Sequence, residues 1–443
     1  MASDLVLTSL DVYPVILSLL IILFIVIIVA WIFLFTISIR SYLHTPLIIR
    51  KRPHLTKQHS SNLPLVSVIV PARNEQDNIQ RCLLSLLAQN YPSFEVIVVN
   101  DSSTDYTLEI VRKIKISPVK QREVGGDKSL DTDRLKIITV TEKPEKWTGK
   151  TWASEQGYSH STGNILLFTD ADTYYMRKDT IYEAVSYMRD QALDVLTGIG
   201  FIELRDFWSK VTMPLWNLFS ILLGSNTGAM NDPKSKVAYL VGSFFLIRRQ
   251  VLEEIGTFRS VKNAIQEDAE LGLLLKSTGY SMKIVRIDNG VSGLWSRDLQ
   301  TLWYGIKRTF APMKRWKIFT NLMTVFFMAF LPFLLLPYTF LTAIALSNAQ
   351  LSGDNSIDGL QLLQLASYSF YLNLTSCLIV IISTALKDIK KYRITPIYSL
   401  LSFLGAGFII ISYIASILSI FLKQSISWRG RRTSPISNNK KTR

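Results

Sequence analysis

Two carboxylates at alternate positions, Asp170-Ala171-Asp172, follow directly on the apolar run 165–169. Hard oxygen ligands at the open end of a strand suit Mg2+ or Mn2+ shared with a diphosphate. The same pattern also suits a turn whose aspartates cap backbone N–H groups. Three other polar stretches end apolar runs in the same way: Pro71-Ala72-Arg73-Asn74-Glu75, Asn100-Asp101-Ser102-Ser103-Thr104-Asp105 and Trp147-Thr148-Gly149-Lys150. Taken singly, Glu75 reads equally as a first-turn helix acid, Asp101 as a turn former and Lys150 as a solvated lysine.

Several other chemistries are excluded. Gly149-Lys150-Thr151 resembles the end of a phosphate-binding loop, but Pro144 stands where that loop needs its first glycine. Gly198-x-Gly200 lacks the third glycine of a dinucleotide fingerprint, since Glu203 occupies its place. An aspartyl phosphotransferase reading of Asp170-x-Asp172 needs Thr or Val where Tyr174 sits. With four histidines, two cysteines (Cys82 and Cys377) and no paired metal-ligand spacing, neither a zinc site nor a disulfide framework is expected.

The polar stretches have to be positioned by the elements around them. Strand-length apolar runs at 66–70, 95–99, 135–140 and 165–169 alternate with helical-period segments at 75–88, 104–114, 150–161 and 180–189. That alternation implies an α/β fold with a mostly parallel sheet, in which ligands bind outside the carboxyl ends of the strands. The charged stretch 115–134 reads as a surface excursion.

The rest of the chain is apolar. Of 443 residues 48% are hydrophobic and 19% charged, with a positive mean hydropathy of +0.24, which points to a membrane protein. Lys and Arg outnumber Asp and Glu, 49 to 34. Beside apolar spans such an excess marks a cytoplasmic flank rather than nucleic-acid binding. Residues 12–39 are uncharged and long enough to cross a hydrocarbon core, as are 318–353, 359–386 and 394–422. The expected organisation is therefore an anchor over 1–40, a soluble domain over 41–316, membrane segments over 317–422 and a basic tail over 423–443. The aromatic stretch 204–230 reads as an interfacial helix or as ordinary core packing.

The flanks set an expected orientation. Arg40, Arg50, Lys51, Arg52 and Lys57 follow the first span, and Asp4 and Asp11 precede it, so the soluble domain should face the cytoplasm as part of a multi-pass cell-membrane protein. Lys387, Lys390, Lys391 and Arg393 agree. Four crossings would put the basic tail outside, against its charge. A re-entrant 394–422, or a hairpin within the proline-containing 318–353, would return it to the cytoplasm.

The residues also carry a resemblance. The run 66–75, the run 98–105, the Asp170-Ala171-Asp172 strand end and Gln266-Glu267-Asp268 stand in the order of the signatures of family 2 glycosyltransferases with a GT-A fold. Lys146-Trp147-Thr148-Gly149-Lys150-Thr151-Trp152-Ala153, the run from Val241-Gly242-Ser243 to Arg248-Arg249 and Trp428-Arg429-Gly430-Arg431 are similar to membrane-bound members near the hopanoid-associated, carotenoid and ceramide glycosyltransferases. The resemblance implies inverting hexosyl transfer from a nucleotide sugar, a UDP-sugar by type, to a membrane lipid, with a divalent metal. Carried over by position, Glu75 and Asp101 would hold the nucleoside, with Pro71 and Asn74 of the same signature beside them. Lys150 would lie near the diphosphate, Asp170 would orient sugar or ribose, Asp172 would bind the metal and Asp268 would be the general base. Arg297, Trp303 and Arg308 are candidates for phosphate or acceptor contacts and equally suit interface anchoring.

The rival readings are transfer to a polyprenyl phosphate, processive polysaccharide synthesis, and a transporter or scaffold with an inactive domain. Processive members carry Gln-x-x-Arg-Trp where this chain has only Lys314-Arg315-Trp316, which argues against polymer synthesis.

Overall fold

The computed structural model describes residues 9–48, 63–116, 120–123, 126–221, 226–310, 315–351, 357–422, 426–428 and 431–433. The Lys314 position, the basic residues 50–57 and most of the tail lie outside them. The chain forms two compact units, one of Ser41–Arg205, Gly224–Pro312 and Ser419–Arg443, the other of Met1–Arg40, Asp206–Leu223 and Met313–Leu418.

The first unit is built on a seven-stranded sheet in the order Met282–Arg286, Val195–Ile199, Phe245–Arg248, Ile165–Phe168, Val66–Ala72, Phe94–Asp101, Leu135–Val140. Alternation along each strand feeds two faces. Val66, Val68, Val70, Val96, Val98 and Leu167 enter one core with helices Ile79–Leu87, Thr107–Ile116 and Thr180–Asp190, whereas Ile69, Leu166 and Phe168 enter another. Burial on both faces explains the near-continuous apolar runs.

All neighbouring strands are parallel except Phe245–Arg248, which runs antiparallel to both of its neighbours. The reversal has a consequence for the site. An inserted antiparallel strand brings its own amino-terminal end to the carboxyl ends of the parallel strands, so Val241-Gly242-Ser243 arrives beside Asp170. The hydrogen bond from Thr169 Oγ1 to Ser243 O at 2.8 Å fixes that approach.

The four expected strands and their helices form, with the first helix starting at Ile79 because 73–78 is a loop. Strands Val195–Ile199, Phe245–Arg248 and Met282–Arg286 were not expected; each is four or five residues long and lacks the strand–helix alternation that marks the others. The excursion over 115–134 contains a short antiparallel hairpin, Lys120–Glu123 with Gly126–Ser129. A smaller sheet pairs Thr173–Tyr175, Val291–Leu294 and Phe201–Glu203.

The second unit is helical. Among the described residues four helices are long and apolar enough to cross a membrane: Val12–His44, Lys317–Ala349, Gly359–Tyr392 and Pro396–Ser419. The hairpin alternative for 318–353 is not adopted. Arg315–Val325, a π-helical turn Phe326–Phe330 and Leu331–Leu351 follow one another without reversal, Pro337 lying inside the last. The π turn lies just ahead of Pro332 and takes up that local irregularity without ending the helix.

The stretch 204–230 is likewise not one interfacial helix. Phe207–Ser220 belongs to the helical unit and buries Val211, Pro214, Leu215, Trp216, Leu218 and Phe219, whereas Thr227–Asn231 belongs to the sheet unit. A Cβ on Gly405 would stand 2.2 Å from Val211 O, so only glycine lets those backbones meet. Phe207 alone of the large apolar side chains on this helix is exposed.

Candidate active site

The loops after Val66–Ala72 and Phe94–Asp101 are zipped together by side chains bonding to backbone. Arg73 Nη1 donates to Asp101 O at 2.6 Å and Ser102 O at 2.9 Å. Thr104 N donates to Asn74 Oδ1 at 2.9 Å, Glu75 N to Thr107 Oγ1 at 2.7 Å and Gln76 N to Asp105 Oδ2 at 3.1 Å. Asn74 and Ser102 take positive φ, 54° and 50°, which sharpens both turns at strand ends where a ligand would sit. The result is two acids, Glu75 and Asp101, only 4% and 3% exposed at adjoining strand ends. Asn78 Nδ2 donates to Glu75 Oε2 at 3.1 Å.

A second cluster gathers around Lys150. Thr148 caps the helix Gly149–Ser159, accepting from Thr151 N at 3.3 Å, and both Thr148 N and Thr151 Oγ1 donate to Lys262 O at 2.8 Å. These bonds tie the start of one helix to the segment that leads into helix Glu267–Ser277. Lys150 Nζ lies 2.7 Å from Asp170 Oδ1 and 2.9 Å from Glu267 Oε1. Glu267, Asp268 and Glu270 fill the first turn of their helix, where acids are favoured by the helix dipole. A cavity of about 10 Å³, room for one water, is lined by Pro71, Lys150, Thr169, Gly242, Glu267 and Asp268 among others. Pro71 thus links the two clusters.

The charges respond to this crowding. Burial would lower the Lys150 ammonium, but Asp170, Glu267 and Asp268 more than offset it and hold the lysine charged. Burial, with Glu267 adding to it, raises Asp268 to about 6 against the opposing charges of Lys150 and Arg308. Burial and the Asp170 carboxylate raise Asp172, opposed by Lys150 and Arg297. An acid raised by burial and by a neighbouring carboxylate suits a divalent cation. Among the described residues no group of three or more His, Cys, Asp or Glu is arranged to hold a metal; an ion at Asp170 and Asp172 would have to draw most of its ligands from water and substrate.

Of the residues singled out in the sequence, the structure brings together Pro71, Lys150, Asp170 and Asp268, with Asp172 two residues beyond. Arg297 donates to Asp77 Oδ2 at 2.9 Å and acts on Asp172, so it stands by the carboxylates rather than only at an interface. Arg308 acts on Asp268 from helix Leu299–Phe310. On the same helix Lys307 Nζ lies 5.7 Å from the centre of the Trp303 ring. Two residues escaped the sequence reading. Glu267 was visible only as the neighbour of Asp268. Gly242 was visible only as part of a looser signature, and its role depends on the inserted antiparallel strand.

Residues 67–256 match the model described as glycosyl transferase family 2, and residues 165–410, more than half of the chain, match that of glycosyl transferase family group 2. The probable glycosyltransferase YdaM of Bacillus subtilis (strain 168) is 26% identical over 229 residues, 51% of this chain and 50% of that protein. The 4,4'-diaponeurosporenoate glycosyltransferase of Staphylococcus aureus (strain N315) is 28% identical over 227 residues, 51% of this chain and 55% of that protein. The matched stretch therefore spans about half the length of each relative. Among solved structures, the mannosyltransferase PcManGT of Pyrobaculum calidifontis, in complex with GDP-Man and Mn2+, superposes with a TM-score of 0.46 at 17% identity, covering 90% of this chain and 99% of that one.

Proposed function

This chain belongs to glycosyltransferase family 2, and on that footing we propose that it transfers a sugar, with inversion, from a nucleotide-sugar donor to a membrane lipid acceptor. The observation that carries the reading is the cluster in which Lys150 bridges Asp170 at 2.7 Å and Glu267 at 2.9 Å with Asp268 alongside. It supports a lysine serving as the cation for a leaving diphosphate beside an acid serving as the base, near the carboxyl ends of the strands.

In this reading Glu75 and Asp101, set at the zipped loops with Asn74 and Pro71, accept hydrogen bonds from the nucleoside. Asp170 orients the sugar or ribose. Asp268 takes the proton of the acceptor hydroxyl as its oxygen bonds to the anomeric carbon, and the carbon–oxygen bond to the diphosphate breaks on the opposite face. Lys150 stabilises the charge that develops on that diphosphate. A divalent ion held through Asp172, with Asp170 near enough to share it, would add Lewis-acid neutralisation of the same charge. Arg297 and Arg308 tune the two acids and face the groups around them.

The lipid acceptor is supported by four helices of membrane-crossing length and by the likeness to the protein named 4,4'-diaponeurosporenoate glycosyltransferase. A cytoplasmic catalytic unit is supported by the basic flank after the first span. The test is to incubate membranes containing the protein with a panel of labelled nucleotide sugars and identify the labelled lipid by mass. Anomeric configuration of the product, read by NMR, decides inversion. Absence of label from every donor, with the protein folded, would remove the proposal.

A further inference from the structure

Lys150 sits on one of the carboxylates a metal would be expected to use. Its ammonium is 2.7 Å from Asp170 Oδ1, and its second bond, 2.9 Å long, goes to Glu267 Oε1, on a residue only 7% exposed. The two bonds are not equivalent. Asp170 is a strand-end side chain about one-third exposed, whereas the Glu267 carboxylate, about 10% exposed, is fixed at the start of a helix tied through Lys262 to the start of the lysine's own helix. Asp170 can therefore be given up more readily than Glu267.

Free divalent metal would meet an unfavourable site here. It would have to displace an ammonium from Asp170, or bind within a few ångströms of it, and Asp170 and Asp172 offer few of the roughly six oxygens such an ion takes. A diphosphate changes both conditions, because it brings oxygens for the metal and an anionic partner for the ammonium.

Resting on the reading of the site as one for a nucleotide sugar, we propose that Lys150 is a resident counter-cation that denies Asp170 to free metal, and that Glu267 is the positioning residue that keeps Lys150 within reach of an incoming diphosphate. Metal and nucleotide then bind as a coupled pair. Lys150 exchanges Asp170 for phosphate while Glu267 retains it.

The test is Mn2+ binding by the full-length protein in detergent, followed by electron paramagnetic resonance with and without UDP or GDP. In the wild type the nucleotide should tighten Mn2+ binding roughly tenfold or more, and Mn2+ should tighten nucleotide binding by the same factor, since coupling is reciprocal. Lys150→Gln should move the two arms in opposite directions, with Mn2+ alone binding about tenfold tighter and the gain from nucleotide shrinking. Damage to the fold would weaken both arms and cannot tighten one. Lys150→Arg keeps the charge and should keep Mn2+ alone weak, which preserves the test should Lys150→Gln fail to fold. Glu267→Gln should leave Mn2+ alone weak and lower nucleotide affinity about fivefold. Equal Mn2+ affinity with and without nucleotide in the wild type, or no tightening in a folded Lys150→Gln, overturns this inference while leaving the proposed function standing. Loss of nucleotide binding itself in the wild type overturns both.

Discussion

A Cβ placed on Gly242 would lie 2.9 Å from Lys150 Nζ, and the same atom would lie 3.1 Å from Asp268 Oδ2. The glycine is therefore a spacing device between the cation and the acid. Because the atoms it would strike are side-chain ends rather than backbone, Gly242→Ala should cost little stability. It should move Lys150 and Asp268 by a few tenths of an ångström and lower turnover about tenfold or more, since misplacement on the ångström scale is costly in catalysis. Unchanged turnover beside an unchanged melting temperature would show that the spacing is not used.

Asp268→Asn should lower turnover by roughly 10²- to 10⁴-fold, the usual contribution of a positioned base, with little change in nucleotide affinity. Near wild-type turnover would take Asp268 out of the mechanism and favour an acceptor that is already an anion.

Asp172→Asn should abolish turnover while leaving the melting temperature within about a degree or two, because the amide keeps the size and shape of the carboxylate. Excess chelator should do the same to the wild type. Full activity in chelator would remove the metal from the reaction.

The pH profile follows from the raised Asp268. The base acts as a carboxylate, so its active form is lost as pH falls through about 6, where burial and Glu267 have placed it. Below that point the logarithm of kcat/KM should fall toward a slope of one per pH unit. A limb set near 4, the ordinary carboxylate range, would contradict the assignment.

Glu95 offers a stability test apart from the chemistry. Burial would raise its carboxyl, but bonds from Lys136, Ser67 and Thr162 outweigh that and hold it at about 2. A depressed folded value contributes stability at pH above the unfolded value of 4.5, lost progressively as pH falls from there through about 2. Glu95→Gln should cost about 2 kcal/mol at neutral pH, in line with hydrogen bonds to a charged group. The difference between the two proteins in denaturant midpoint should narrow below pH 4.

The sequence by itself determined the strand ends. The apolar runs 66–70, 95–99 and 165–169 needed only neighbours in sequence to be recognised, because a strand buried on both faces writes its burial into consecutive residues, and 135–140, a half-exposed strand at the edge of the sheet, was legible from its apolar composition. Glu75, Asp101 and Asp170, with Asp172 just beyond, stand out as the first acidic residues after the runs 66–70, 95–99 and 165–169, and the four apolar stretches stand out by length alone. What only the tertiary structure decided are pairings across the chain: Lys150 with Glu267, Arg297 with Asp77, Gly242 with both Lys150 and Asp268, and helix Phe207–Ser220 with the apolar helices. The Gly242 pairing follows from the antiparallel strand Phe245–Arg248, which enters between Ile165–Phe168 and Val195–Ile199 and carries Gly242 to the carboxyl ends. Four residues of apolar strand do not announce their direction or their place in a sheet. That place is fixed by which edges remain to be paired once the rest of the sheet has formed, a condition no local pattern contains.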